Sequence, residues 1–296
     1  MKIKSIFSFR KWVGLFCWQG FAKKINDKTY LKLLYYSKIG KKLNLNNPKT
    51  FNEKLQWLKL YDRKPEYTTM VDKFASKKFV ADRIGEEYIV PCLGGPWYSF
   101  DEIDFDTLPE KFVLKTNHDS GGVVLCRDKK AFDREKAKAF LEKHLKREYY
   151  WLCREWPYKD VKPCIFAEEY MKDAGNDFLP VYKIMCFNGE PKIIQTIQND
   201  KQPNETIDYF DTEWNVLPFR QNFPNSANPL PKPENLDKML ELAKVLTNGK
   251  NFIRVDFYVI NGEIYFSEYT FFSDAGFAKF EPDEWDYTLG EWISIL

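Results

Sequence analysis

The segment FIRVDFYVINGEIYFSEYTF, residues 252–271, limits what this chain can fold into more than any other. Aromatic and β-branched residues stand on both sides of Asn261-Gly262, and an Asn-Gly pair between two such runs reads as a tight β-hairpin. The arms carry Arg254, Asp256, Glu268 and Thr270, and register decides whether those four can act together. With a two-residue turn, Asp256 faces Ser267 and Glu268 points to the other side of the sheet, because side chains alternate with a period of two. With a three-residue loop, Ile260-Asn261-Gly262, closed by a left-handed Gly262 in a G1 bulge, Arg254 faces Glu268 and all four share one face. We expect the three-residue loop. Two carboxylates and a hydroxyl on one face then suit magnesium, which takes hard oxygen ligands, and the arginine suits a developing oxyanion. A charged, solvated hairpin face with an Arg254 to Glu268 pair explains the same residues if nothing else in the chain supports a site.

Upstream the pattern is helical, then mixed. Residues 28–62 read as helices, with Thr50 and Glu53 in a capping box ahead of Leu55, Trp57 and Leu58. A further helix is expected from Thr69 to Ile84, ended by a left-handed Gly85, with a short strand at Tyr88 to Pro91. Lys111 to Leu114 and Val123 to Cys126 read as strands joined by a glycine-containing loop, and residues 130–147 as a charged helix. Cys164 to Tyr170, Tyr182 to Phe187 and Lys192 to Ile197 read as strands, the last two joined at Asn188-Gly189. A proline-rich connection, 224–233, precedes a helix at 234–247.

The 45 basic and 43 acidic side chains nearly cancel, so no global field points to nucleic acid, and any electrostatic function must be local. Six cysteines stand singly, with no C-x-x-C pair and two histidines in the chain, which argues against a zinc site and reads as buried hydrophobes in a reducing cytosol. No apolar run reaches the roughly 18 to 20 residues needed to cross a bilayer. The first 26 residues carry six basic side chains and no acid among Trp12, Phe16, Trp18 and Phe21. They read as a helix packed on the body or as an interfacial helix at an anionic membrane face.

Two further segments could carry chemistry. Lys115 ends the first strand of the 111–126 pair and is followed by Asn117-His118-Asp119-Ser120-Gly121-Gly122. A lysine there offers a point charge to phosphate, and the glycines let backbone N–H groups approach it. The loop is neither a Walker A loop nor a dinucleotide fingerprint. His144, in a lysine-rich helix, reads as a solvated surface residue, and His118 has no partner arrangement suited to general-base work. Phe166 to Met171 runs an apolar strand into Glu168 and Glu169, a pattern that serves as a nucleotide hinge or as an exposed strand end.

Taken together these segments resemble the TupA-like branch of the ATP-grasp superfamily, through NPKTFNEKLQWLKL, VDKFASKKFVADRIGEEYIVP, LPEKFVLKTNHDSGG, YKIMCFNGEPK and RVDFYVINGEIYFSEYTFF. The resemblance implies an α+β fold in which two α/β lobes clasp ATP between antiparallel sheets. A helical preface would occupy residues 1–68, the small lobe 69–163 and the large lobe 164–296. It implies that Lys73 and Lys115 contact phosphates and that Ser120, Gly121 and Gly122 form a mobile phosphate loop. Glu168 and Glu169 would lie at the adenine and ribose hinge, Asp256 and Glu268 would hold Mg2+, and Arg254 would face the oxyanion. Thr270 stands where many relatives have asparagine, and Val181 where the branch often has aspartate before Tyr182-Lys183, which leaves Thr270 as a weak third ligand and Lys183 as a further nucleotide contact.

The activity so implied is carboxylate-amine ligation through an acyl phosphate, with a uronic acid or similar carboxylate-bearing sugar and an amino acid or amino sugar as partners in surface polysaccharide assembly. The setting would be the cytoplasm or its membrane face. Substitutions at Asp256 and Glu268 would remove turnover and spare the fold. The rival readings are a metal-dependent glycosyltransferase, for which Asp104-Phe105-Asp106 supplies a D-x-D, and a non-catalytic polysaccharide-binding protein.

Overall fold

The computed structural model describes Val13, residues 20–175 and residues 179–295. Apart from Val13 and a short 3-10 turn at Gly20–Lys24, the basic and aromatic N-terminal segment lies outside the described residues. Helices α1 (Asp27–Ile39) and α2 (Phe51–Tyr61) follow, the second with the expected reciprocal capping box between Thr50 and Glu53. The helix expected over 69–84 is two: α3 (Glu66–Val71) and α4 (Ala75–Ile84). Asp72 breaks it by accepting the N–H groups of Phe74 and Ala75 at 2.9 and 3.0 Å, so its side chain starts a new helix instead of continuing the old one. Gly85 closes α4 with φ 113° and ψ 153°, outside the left-handed helical region.

Residues 86–88 form a 3-10 turn, and strand β1 is Cys92–Trp97, later than the expected strand at 88–91. β2 (Phe112–Thr116), β3 (Val123–Cys126), α5 (Arg134–Leu145), α6 (Tyr150–Cys153) and β4 (Ile165–Glu169) complete the first half. β5 (Val181–Phe187), β6 (Glu190–Gln198), β7 (Thr206–Phe210), α7 (Leu236–Thr247), β8 (Phe252–Ile260), β9 (Glu263–Thr270) and α8 (Glu284–Glu291) form the second. Of the five cysteines described, Cys126, Cys164 and Cys186 are buried as expected, whereas Cys92 is exposed.

The strands make two antiparallel sheets, ordered β1-β4-β2-β3 and β7-β6-β5-β8-β9. β4 belongs to the first, so that sheet draws on chain beyond residue 163, while α3 and α4 touch β9 and α7 of the second half. The small sheet and α5 enclose Phe105, Phe112, Leu114, Leu141 and Ile165. α7 lays Leu236, Met239, Leu242 and Leu246 against the back of the large sheet, among Ile184, Cys186, Ile253 and Val255. Each such burial contributes roughly 1.5–3 kcal/mol. α2 covers one end of the opposite face, where the Phe51 ring meets Phe252 at 4.9 Å and Phe187 at 6.1 Å. The rest of that face is left to a cleft opposite the small sheet.

Candidate active site between the two sheets

The β8–β9 hairpin reaches the expected result by a different route. Its turn has two residues, with Asn261 at φ 51° and Gly262 at φ 85°, the double positive φ of a type I′ turn. Ile260 therefore pairs with Glu263, and the ladder runs regularly to Phe257 opposite Phe266. Continued unchanged, it would send Glu268 to the back. A bulge at Ser267 intervenes, and beyond it Asp256 faces Glu268 and Arg254 faces Thr270. The expected three-residue loop and the Arg254 to Glu268 pairing are thus corrected, while the shared face is present because the extra residue restores the lost parity.

Across the sheet, Lys183 of β5 is opposite Asp256. Asp256 is 1% exposed. Arg254 Nε donates to its Oδ1 at 2.7 Å and the guanidinium also reaches Oδ2 at 2.9 Å, while Lys183 Nζ donates to Oδ2 at 2.6 Å. Burial alone would push the Asp256 pKa up, but the two cations win and it lies below the usual carboxylate range. Glu268 is more open and stands 3.5 Å from Lys73 Nζ.

The small sheet supplies the opposing wall. Lys115 pairs with Phe166 across the ladder and Val113 with Glu168, so Lys115 and Glu168 share the cleft face. The Glu168 carboxylate contacts Lys115 Nζ and lies 2.6 Å from Lys77 Nζ. Burial works against both charges, yet their mutual attraction raises the Lys115 pKa and lowers that of Glu168. Glu168, expected at a hinge with Glu169, thus has its charge committed to two lysines. Glu169 is exposed, and its N–H donates to Pro91 O at 3.0 Å. Lys77 of α4 stands outside the cleft lining but holds Glu168 from behind, a role that sequence reasoning missed.

The loop after β2 is anchored at its base. Asn117 Nδ2 donates to Asp72 Oδ2 and Lys162 O at 2.9 and 3.0 Å, its Oδ1 accepts from Cys164 N, and its carbonyl accepts from Lys73 N–H. Asp119, with no exposed side-chain surface, accepts from Thr116 Oγ1 at 2.5 Å and meets His144 Nδ1 at 2.5 Å and Arg147 at 3.0 Å. His144 is therefore part of this anchor and not the solvated residue expected; its face of α5 turns inward. His118 is buried, with Nε2 3.1 Å from Arg147 O, and burial lowers its pKa. Only Ser120 and Gly121 are exposed, and Lys73 Nζ donates to Asp119 O at 2.7 Å. At Gly122 a Cβ would sit 1.8 Å from Thr116 Oγ1, so a side chain there would break the anchor.

These walls enclose a cleft of about 460 Å³, lined by Lys73, Lys115, Ser120, Gly121, Glu168, Lys183, Asp256 and Glu268 at its polar end and by Val113, Leu125, Met171, Leu179 and Tyr258 elsewhere. At the polar end Lys73, Lys115 and Lys183 stand among Glu168, Asp256 and Glu268, while Lys77 and Arg254 pair with Glu168 and Asp256 from beside the lining. Asp256 and Glu268 offer opposed carboxylates with Thr270 on the same face. Among the described residues no cluster of three or more acidic, histidine or cysteine groups could hold a metal unaided. That donor set fits magnesium, which takes one or two carboxylates and completes its shell with phosphate and water. Asp104 and Asp106 lie outside the cleft lining, on a 3-10 turn where Asp104 accepts from Asp106 N–H.

The family model for TupA-like ATPgrasp proteins matches residues 53–294. The chain belongs to this family. The TupA-like chain is similar in structure to D-alanine–D-alanine ligase from Helicobacter pylori, at 16% identity and a TM-score of 0.43, over 84% of this chain and 70% of that one. It is also similar to D-alanine–D-alanine ligase from Bacillus anthracis complexed with ATP, at 18% identity and TM-score 0.40, over 68% of this chain and 55% of that one. A third is the biotin carboxylase domain of 2-oxoglutarate carboxylase from Hydrogenobacter thermophilus, complexed with MgADP, ADP and bicarbonate, at 15% identity and TM-score 0.40, over 68% and 40%. The TupA-like chain thus spans about half the length of most of these structures. No curated protein matches its sequence. Among its described residues, no helix is long and apolar enough to cross a membrane.

Proposed function

We propose that this TupA-like protein is an ATP- and magnesium-dependent carboxylate-amine ligase. The observation that carries the reading is the meeting of Lys73, Lys115 and the Ser120-Gly121 tip with Lys183, Arg254, Asp256 and Glu268 across one cleft. The apolar end of the cleft would receive adenine, with Glu169 near the ribose. Lys73, Lys115 and Lys183 would hold phosphate oxygens, and Ser120, Gly121 and Gly122 would lend a close backbone. Magnesium, held by Asp256 and Glu268 with Thr270 beside them, would neutralise charge on the transferring phosphoryl group. Arg254, freed in part from Asp256 when phosphate and metal arrive, would face the oxyanion formed as an amine attacks the acyl phosphate. The chain's own contribution is positioning and charge, in a cleft whose low dielectric strengthens both.

A uronic acid or a similar carboxylate of a surface polysaccharide precursor is the acceptor proposed, with an amino acid or amino sugar as amine. The supporting experiment incubates the protein with Mg-ATP, hydroxylamine and a panel of uronic acids. Hydroxamate formation with release of ADP is expected, and hydroxylamine traps the acyl phosphate whatever the natural amine. In parallel, Mg-ATP and Mg-ADP should raise the melting temperature and UDP-sugars should not. Stabilisation by UDP-sugars alone would favour the glycosyltransferase reading and overturn this one.

A further inference from the structure

Among the described strands the chain passes between the two sheets once, from β4 in the small sheet to β5 in the large one. The crossing is held at both ends. Near β4, Asn261 at the turn of the β8–β9 hairpin grips it with three hydrogen bonds: Oδ1 accepts from Ala174 N–H at 2.8 Å, Nδ2 donates to Lys172 O at 3.3 Å, and the Asn261 N–H donates to Asp173 Oδ2 at 2.8 Å. Asp173 is 8% exposed, and its other oxygen accepts from Gly175 N–H at 3.0 Å. Near β5, Val259 N–H donates to Pro180 O at 3.1 Å. The hairpin that carries Asp256 and Glu268 thus also fastens the chain that joins the sheets.

Turn chemistry alone does not account for the residue. Asparagine, aspartate and glycine all suit the first position of a type I′ turn, but of the three only asparagine has a side chain that accepts from one backbone group while donating to another. Met171, Lys172 and Asp173, on the gripped side of the crossing, line the cleft, as do Leu179 and Val181. Without the grip, that wall would have to be ordered when a ligand arrives, and ordering costs free energy.

We infer that Asn261 is a positioning residue for the nucleotide: from outside the cleft lining it fixes the wall at the apolar end, where the base would rest. The inference rests on the ligase reading, which calls for a nucleotide in this cleft. The fold supplies a matched control. Asn188-Gly189, between β5 and β6, makes the same turn, with φ 51° and 83°. Asn188 also holds a distant segment, its Nδ2 donating to Trp292 O at 2.6 Å and its Oδ1 accepting from Ser294 N–H at 3.0 Å. Neither Asn188 nor that segment lines the cleft.

The test measures Mg-ADP affinity by calorimetry on the full chain for wild type, Asn261→Gly and Asn188→Gly, glycine keeping the positive φ of either turn. Asn261→Gly should weaken Mg-ADP binding by about tenfold, the equivalent of two ordinary hydrogen bonds, and Asn188→Gly should leave it unchanged. By linkage, saturating Mg-ADP should slow hydrogen exchange of the wild-type Ala174 amide by about the same factor, a measurement that stands even if a variant fails to fold. Unchanged affinity in Asn261→Gly, an equal loss in Asn188→Gly, or an Ala174 amide indifferent to bound Mg-ADP would overturn the role of Asn261. Failure of wild-type protein to bind Mg-ADP would overturn the ligase reading.

Discussion

Replacing Asp256 with asparagine should damage the fold as well as the reaction, contrary to what a sequence reading of a metal ligand suggests. Asp256 is 1% exposed and neutralises two cations that are themselves largely enclosed, Arg254 and Lys183, whose side chains are 12% and 16% exposed. Removing one partner of a buried ion pair costs about 3–5 kcal/mol because the other charge is left uncompensated. Asparagine keeps the volume and one carbonyl acceptor, which places the expected cost near the lower bound, about 3 kcal/mol. At roughly 2–4 °C per kcal/mol for a chain of this size, the melting temperature should fall by about 6–12 °C. Glu268→Gln is the internal control: its side chain is 34% exposed and its ion pair is long, at 3.5 Å, so its cost should stay below about 1 kcal/mol. Both variants should lose ATP turnover. The Asp256 pKa is lowered in the fold, so its contribution is present above the unfolded value of 3.8 and is lost as pH falls through the folded one. Wild type and Asp256→Asn should therefore converge in acid. Differential scanning fluorimetry of the apo proteins at neutral and acid pH decides the matter, and an Asp256→Asn variant as stable as Glu268→Gln would refute the reasoning.

Lys115→Ala should chiefly weaken nucleotide binding, since it removes a phosphate contact made in the ground state, and unchanged Mg-ADP affinity by calorimetry would remove Lys115 from the site. Gly122→Ala should lower both stability and nucleotide affinity, because its Cβ would collide with Thr116 Oγ1; a variant with wild-type melting temperature and affinity would show that the Asp119 anchor is dispensable. Glu155 has its pKa raised from 4.5 to about 7 by burial. An acid whose folded pKa is raised destabilises the fold as pH climbs from its unfolded to its folded value. Glu155→Gln should therefore flatten the loss of stability between about pH 4.5 and about pH 7, a difference on the order of 3 kcal/mol at the upper end, and urea titrations across that range that superimpose for the two proteins would contradict it.

The hairpin was legible because Asn261-Gly262 and the apolar arms are local signals. Its register was not, since Ser267 has nothing in its own chemistry that announces a bulge. A signal lay one level up: the buried residues of β9 are Ile264, Phe266 and Tyr269, spaced by two and then by three, and that change of phase marks the extra residue. The break at Asp72 was hidden for a related reason, because a helical period runs through it and only the N–H groups of Phe74 and Ala75 reveal that the aspartate caps instead of continuing. Strand β7 was missed because Thr206 and Asp208 interrupt the apolar run of Thr206–Phe210 with polar side chains. His144 was misread because composition described the whole of α5 while the contact that matters belongs to one face. Lys77 was not singled out, because nothing local says that a lysine will meet a glutamate brought from elsewhere in the chain.

Asn117 sets a length. Through its carbonyl and its amide it ties the backbone after Lys115 to Asp72 and Lys73 on one side and to Lys162 and Cys164 on the other. Lys73 and Lys115, two of the lysines at the polar end of the cleft, are therefore tied through a single side chain, and that tie does not run through the large sheet. A rotation of one sheet against the other would leave the distance between those two lysines fixed while changing the distance from each of them to Asp256 and Glu268 on the large sheet.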